Sequence, residues 1–108
     1  MIMPEESIEV TVEDLAAARD AGAEVLDVRS PEEYARGHVP GARNIPLEQV
    51  LRAPGEFPDG VRVVCQSGGR SLRAAQALRE AGVDAVSVSG GTAAWVESGR
   101  NTEGGAQR

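Results

Sequence analysis

The sequence predicts an α/β fold in which a parallel sheet carries helices on both faces. Short Val-rich runs alternate with segments of helical spacing, and glycine or proline marks most of the boundaries between them. Alternating strands and helices are typical of parallel sheets, whose connecting helices cover both faces. Ligands of such folds lie beyond the carboxyl ends of the strands, so we expect the functional site at that edge.

The amino-terminal part predicts a strand followed by a helix. Residues 8–10 are apolar, acidic and apolar, which favours a short edge strand. Thr11 predicts a helix N-cap, with Asp14 three residues later as a variant of the capping box. We expect the helix over residues 12–21, ended by Gly22.

The next strand and helix carry stronger signals. Residues 24–28 (EVLDV) predict a buried strand, and Ser30 follows as a helix cap. Pro31 stands at the first helical position, with acids behind it in the first turn, where the helix dipole favours negative charge. We expect this helix to be short and to end at Gly37.

The centre of the chain is expected to be mostly loop. Residues 38–46 (HVPGARNIP) contain three helix-breaking residues, and residues 53–60 (APGEFPDG) form a turn-rich segment. Between them, residues 47–52 predict a short helix.

The second half repeats the alternation of strand and helix. Residues 61–64 and 85–88 predict two further buried strands. Between them a helix is expected over residues 71–81, because apolar side chains recur there at helical spacing.

The end of the chain predicts one more helix and a tail. Gly90 and Gly91 turn the chain, and a short helix is expected from Thr92 to Glu97, packed on the sheet through Trp95. Residues 99–108 (GRNTEGGAQR) predict a disordered tail. We find no internal repeat and no second domain.

Composition excludes several classes of function. The formal net charge of −6 argues against nucleic-acid binding and against an anionic membrane surface. A single cysteine excludes an internal disulfide, a CxxC pair and a multi-cysteine zinc site. We expect no metal and no cofactor. No apolar run approaches a membrane span, and no signal-peptide pattern precedes the domain, so a cytoplasmic location is expected.

The single cysteine, Cys65, stands between a predicted strand and a predicted helix, in the stretch VVCQSGGRS. Gly68 and Gly69 allow the backbone N–H groups to point inward, and the helix dipole and Arg70 add positive charge. These features favour a thiolate and any anion bound beside it, so the loop predicts an activated nucleophile. The alternative is a small core residue with no chemical role.

Two reactions use such a loop: phosphate-ester hydrolysis through a cysteinyl phosphate, and sulfur transfer through a cysteine persulfide. Four residues separate Cys65 from Arg70, one fewer than in protein tyrosine phosphatases. The tighter loop fits one terminal sulfur better than a tetrahedral phosphate, and no general acid stands nearby in sequence. Sulfur transfer is therefore favoured over a phosphatase or an arsenate reductase.

Three motifs resemble the rhodanese-like superfamily, specifically its single-domain thiosulfate sulfurtransferases. They are LDVRSPEEYARGHVPGARNIPL (26–47), VVCQSGGRSLRAAQALREAG (63–82) and VSGGTAAW (88–95), and the resemblance covers residues 8–98. It implies one rhodanese domain with a five-stranded parallel sheet. It also implies that the Cys65 thiolate takes the outer sulfur of a donor and passes it to an acceptor.

The resemblance implies roles for the other motif residues. The terminal sulfur would be held by the loop that follows Cys65, which comprises Gln66, Ser67, Gly68, Gly69, Arg70 and Ser71. Arg70 would position the sulfonate of the donor. Asp27 and Arg29 are expected to support the loop through a cap and a salt bridge. His38 is expected to be a hydrogen-bonding scaffold residue rather than a base.

The expected partners are a small sulfur-containing anion and an acceptor, which is a thiol, cyanide or another protein. Because Arg70 is the only cation within the loop, thiosulfate is expected to be a poor donor and a protein persulfide a better one. The alternative function is a non-catalytic rhodanese-like module that binds a partner or senses oxidation.

Overall fold

A computed structural model describes residues 7–104, and these residues form a five-stranded parallel sheet in the order β1-β5-β4-β2-β3. This confirms the predicted α/β class, and the sheet has the strand number that the resemblance implies. The strands are β1 (Glu9–Val10), β2 (Val25–Asp27), β3 (Arg43–Asn44), β4 (Val61–Val64) and β5 (Ala85–Val88).

Helices cover both faces of the sheet. They are α1 (Val12–Asp20), α2 (Pro31–Ala35), α3 (Leu47–Arg52), α4 (Gly69–Glu80) and α5 (Gly91–Glu97), with a 3₁₀ turn over Pro54–Glu56. The N-caps predicted for α1 and α2 are confirmed, since Thr11 accepts from the Asp14 N–H and Ser30 forms a reciprocal capping box with Glu33. Within residues 7–104, no helix has the length and apolar character needed to cross a membrane.

Alternation of side chains along the strands divides the core into two apolar clusters, one on each face. Leu26 and Val63 point into the cluster that packs under α3 and α4, whereas Val25 and Val64 point into the cluster under α1 and α5. Trp95 joins the second cluster and is 4% exposed, as predicted for the last helix. The inner strands β2, β4 and β5 are buried on both faces, which explains their continuous apolar runs.

The structure differs from the sequence-based expectations in the central loop. Residues 38–46 were expected to be loop, but Arg43 and Asn44 form the edge strand β3 beside β2. A strand of two residues leaves no periodicity to detect, and it exists because β2 offers an open edge for pairing. Helix α4 also begins earlier than expected, at Gly69.

Residues 99–104, the first part of the predicted disordered tail, make specific contacts with the domain. His38 and Glu103 exchange two backbone hydrogen bonds of 2.9 Å each, and the Trp95 indole N–H donates to the Asn101 carbonyl at 2.7 Å. These contacts tie the segment to the domain, which local composition does not reveal. Residues 105–108 of the predicted tail lie outside the described residues.

Candidate active site

Cys65 directly follows β4, which lies at the centre of the sheet between β5 and β2. The carboxyl ends of these three parallel strands therefore meet around it, as expected for this class of fold. The segment of residues 65–71, called here the cysteine loop, carries every residue predicted to bind the sulfur. Residues 27–30, called here the β2 turn, follow the neighbouring strand.

Cys65 is 1% exposed, and hydrogen-bonding groups surround its sulfur. The Gly68 N–H donates to Sγ at 3.1 Å, and Sγ lies 3.4 Å from the Ser71 hydroxyl. Burial raises the pKa of the Cys65 thiol, but the Ser71 hydroxyl and the N–H groups of Ser71, Gly68 and Ser67 outweigh it. The pKa therefore lies below the ordinary value, and the predicted activation has a physical basis.

Two carbonyl groups at the start of the cysteine loop are bound by the N-terminal part of α5. Cys65 O accepts from the Thr92 N–H at 2.8 Å, and Gln66 O accepts from the Ala93 N–H at 3.1 Å. Gly68 has a φ of 119°, a left-handed conformation that favours glycine. Because the carbonyls are occupied by α5, the N–H groups of the loop can converge on the sulfur.

Gly91 permits this close approach of α5 to the cysteine loop. A Cβ at this position would overlap Cys65 O and would lie 2.9 Å from the Gln66 carbonyl carbon. Sequence reasoning assigned the Gly90–Gly91 pair only to a turn and missed its contact with the loop. The signal was present, since two successive glycines are more than a strand-to-helix turn needs.

The β2 turn contains a buried ion pair that reaches the cysteine loop. Asp27 and Arg29 are paired at 2.9 Å, with side chains 0% and 4% exposed. The Arg29 guanidinium also donates to the Gln66 side chain at 3.2 Å and to the Gly37 carbonyl at 2.8 Å. Asp27 is thus linked to the loop through Arg29, and the supporting role expected for both residues stays a prediction.

Arg70 is paired with Glu33, a residue of the first motif that was not counted among the site residues. Both guanidinium NH₂ groups donate to the Glu33 carboxylate at 2.8 Å. The hydrogen bond from Arg70 holds the pKa of Glu33 at about 2, with further lowering from Ser30 and an opposing effect of burial. The Arg70 guanidinium, which was expected to position a sulfonate, is therefore paired with Glu33.

His38 belongs to the scaffold of the domain. Its ring stacks on Tyr34 with centroids 3.6 Å apart, and Nδ1 donates to the Tyr34 carbonyl at 2.9 Å. Its backbone pairs with Glu103. These contacts tie His38 to α2 and to the segment after α5, as expected of a scaffold residue.

Two cavities flank the Glu33–Arg70 pair. One, of about 650 Å³, is lined by Glu33, Arg29, Gln66 and residues along α5. The other, of about 490 Å³, is lined by Arg70 and residues of α2 and α3. Each cavity touches the cysteine loop at one residue, Gln66 or Arg70, and Cys65 lines neither of them. Within residues 7–104, no three His, Cys, Asp or Glu side chains cluster to hold a metal ion.

Comparison with known proteins agrees with this geometry. The Rhodanese-like domain family matches residues 11–98. Thiosulfate sulfurtransferase 16, chloroplastic, of Arabidopsis thaliana is 38% identical, over 94% of this chain and 99% of that protein.

Solved structures give the same result. A rhodanese-related protein from Thermoplasma volcanium superposes with a TM-score of 0.79 at 30% identity, covering 87% of this chain and 95% of that one. The human single-domain sulfurtransferase TSTD1 superposes with a TM-score of 0.75 at 29% identity, covering 85% of this chain and 97% of that one.

Proposed function

Because the chain belongs to the rhodanese-like domain family, we propose that it is a sulfurtransferase that carries sulfane sulfur as a persulfide on Cys65. The observation that carries this proposal is the set of N–H and hydroxyl groups directed at the Cys65 sulfur. Such a site stabilises a thiolate before the reaction and a terminal sulfur anion after it. The similarity to a thiosulfate sulfurtransferase supports the same reaction class.

In the first step the Cys65 thiolate attacks the outer sulfur of thiosulfate or of a persulfide donor. A bond forms between Sγ and that sulfur, while the original sulfur–sulfur bond breaks and its electron pair leaves with sulfite or with a thiolate. Cys65 then carries a persulfide anion. No net oxidation and no proton transfer is required, so the step needs no general acid.

In this proposal the cysteine loop holds the transferred sulfur. The N–H groups of Ser67, Gly68 and Ser71 approach Sγ, and the family resemblance implies that those of Gln66, Gly69 and Arg70 complete the site where the terminal sulfur anion forms. Arg70 would contact a sulfonate only after leaving Glu33, so a persulfide donor, which needs no sulfonate contact, is the better substrate.

In the second step an acceptor attacks the outer sulfur. Cyanide or a thiol, free or on another protein, forms a bond to that sulfur, and the Cys65 thiolate leaves with the electron pair of the broken bond. Cys65 is the single cysteine of the chain, so no second thiol of this chain resolves the persulfide. Release to an external acceptor completes the cycle. The cytoplasmic location expected from the sequence stays a prediction.

The test is an intact-mass measurement on protein incubated with thiosulfate or, separately, with glutathione persulfide, beside Cys65→Ser. We expect one added sulfur on the native protein only, and its release by cyanide as thiocyanate. If alkylation labels Cys65 readily but neither donor adds sulfur, the proposal is wrong. The protein would then belong with the non-catalytic binding or redox-sensing modules.

A further inference from the structure

A chain of buried hydroxyl groups runs beneath the Cys65 sulfur. Sγ lies 3.4 Å from Ser71 Oγ, and Ser71 Oγ lies 2.7 Å from Ser87 Oγ. Ser71 belongs to α4 and Ser87 to β5, and both residues are 0% exposed. This hydroxyl chain therefore connects the Cys65 sulfur to β5, away from solvent.

Ser87 occupies a position where an apolar residue would be expected. It faces the same side of β5 as Ala85 and pairs in register with Val63, and both neighbours belong to the apolar cluster under α4. Burying a hydroxyl there costs free energy unless it is hydrogen-bonded. In the described part of the chain, Ser71 is its one hydrogen-bond partner.

The protonation state of Cys65 determines which group donates and which accepts in each hydrogen bond of this hydroxyl chain. A neutral thiol donates to Ser71 Oγ, which leaves the Ser71 hydroxyl free to donate to the Gly68 carbonyl at 3.2 Å. A thiolate can only accept, so the Ser71 hydroxyl must then turn to Sγ. Its oxygen is left to accept a hydrogen bond from the Ser87 hydroxyl, and the two aligned hydrogen bonds polarise each other.

We propose that Ser87 is a positioning residue for Cys65, whose hydroxyl holds the Ser71 hydroxyl in the orientation that donates to the ionised sulfur. The proposal rests on the proposed function in that it assigns Ser87 a part in preparing the sulfur carrier. It concerns the thiolate itself, however, and is testable without any sulfur donor.

A substitution at Ser87 leaves the charged groups around the site unchanged. Arg70 of the cysteine loop is paired with Glu33 of α2, and Arg29 of the β2 turn is paired with Asp27. The β5 strand (AVSV) contributes no charged residue. A neutral substitution at Ser87 leaves both ion pairs in place, so a change in thiol ionisation would report on the hydroxyl chain.

The experiment measures the pKa of Cys65 from the pH dependence of alkylation by iodoacetamide and from thiolate absorbance. We expect Ser87→Ala to raise this pKa by roughly half a unit to one unit, and Ser71→Ala to raise it by roughly one to two units. The exposed Ser89→Ala, two residues along the chain, is the matched control and should leave the pKa unchanged.

A double-mutant cycle separates the hydroxyl chain from general loosening of the fold. If Ser87 acts through Ser71, Ser87→Ala adds no further rise in a Ser71→Ala background. A full additive rise there, or an unchanged pKa in the single variant, overturns the proposal.

Ser87→Thr provides a second variant should Ser87→Ala fold poorly. It keeps the hydroxyl on a β-branched residue suited to a strand, so we expect the native pKa even where overpacking lowers the melting temperature. A raised pKa in Ser87→Thr, at unchanged structure by circular dichroism, contradicts the proposed role. Because none of these measurements requires sulfur transfer, their outcome is independent of whether Cys65 forms a persulfide.

Discussion

The cysteine loop and the β2 turn meet at the carboxyl edge of the sheet, and a different kind of interaction stabilises each of them. The cysteine loop uses neutral donors, since backbone N–H groups and the Ser71 hydroxyl surround the sulfur. The β2 turn instead buries a full ion pair between Asp27 and Arg29. Neutral donors stabilise an anion that must come and go, whereas the permanent charges stay matched to each other. Under the proposed function, this difference gives the chemistry to the cysteine loop and the supporting role to the β2 turn.

Removing a charge from the β2 turn gives the largest expected effect on stability. Asp27→Ala leaves the buried Arg29 guanidinium without a counter-charge, which should lower the free energy of unfolding by about 3–5 kcal/mol. Urea unfolding measures the loss. Asp27→Leu combined with Arg29→Met removes both charges and should recover much of it. If the single and double variants lose the same free energy of unfolding, packing rather than charge stabilises the β2 turn.

A methyl group at Gly91 tests the packing that shapes the cysteine loop. Gly91→Ala overlaps the Cys65 carbonyl at a φ of 57°, and we expect a loss of about 2–4 kcal/mol in urea unfolding. The control is Gly99→Ala, which shares a positive φ of 89° but has nothing within 4 Å of the added group. Equal losses would mean that backbone strain, not contact with the loop, accounts for the effect.

The Glu33–Arg70 pair joins α2 to the cysteine loop and predicts a pH dependence. Glu33 has a pKa of about 2 in the folded protein against 4.5 ordinarily, so its ionised form stabilises the fold at neutral pH. That contribution is lost as the pH falls from about 5 to 2. Allowing for solvent screening of the partly exposed Arg70, we expect roughly 1 kcal/mol.

Glu33→Gln measures this contribution directly. Its unfolding free energy should lie below that of the native protein at pH 7, and the two should converge as the pH falls. A difference that stays constant across this range would show that the carboxylate charge is not responsible.

The sequence predicted the parts of this arrangement that depend on local signals. The strands at 61–64 and 85–88 and the helix at 47–52 were predicted with their observed bounds, because each has a clear apolar pattern and a turn at its end. Cys65 stood out because glycines and an arginine follow it immediately.

The remaining features depend on topology. The contacts of Arg29 with Gln66 and of Glu33 with Arg70 each span 37 residues, and Ser87 lies 16 residues from Ser71. Strand order brings these residues together, and no local periodicity encodes it. The same holds for β3 and for the segment after α5, which are ordered by partners distant in sequence.

The smallest expected effect concerns the direct link between the two loops. Gln66→Ala removes the hydrogen bond from Arg29 to the Gln66 side chain, yet the Gln66 carbonyl remains bound to the Ala93 N–H. Because the backbone is held independently and the side chain is exposed, we expect a loss of about 0.5 kcal/mol in urea unfolding and an unchanged rate of Cys65 alkylation. A loss above about 1.5 kcal/mol, or a clear change in alkylation rate, would mean that the β2 turn and the cysteine loop act as one unit. The separation of support from chemistry would then not hold, because the buried ion pair would be shaping the sulfur site itself.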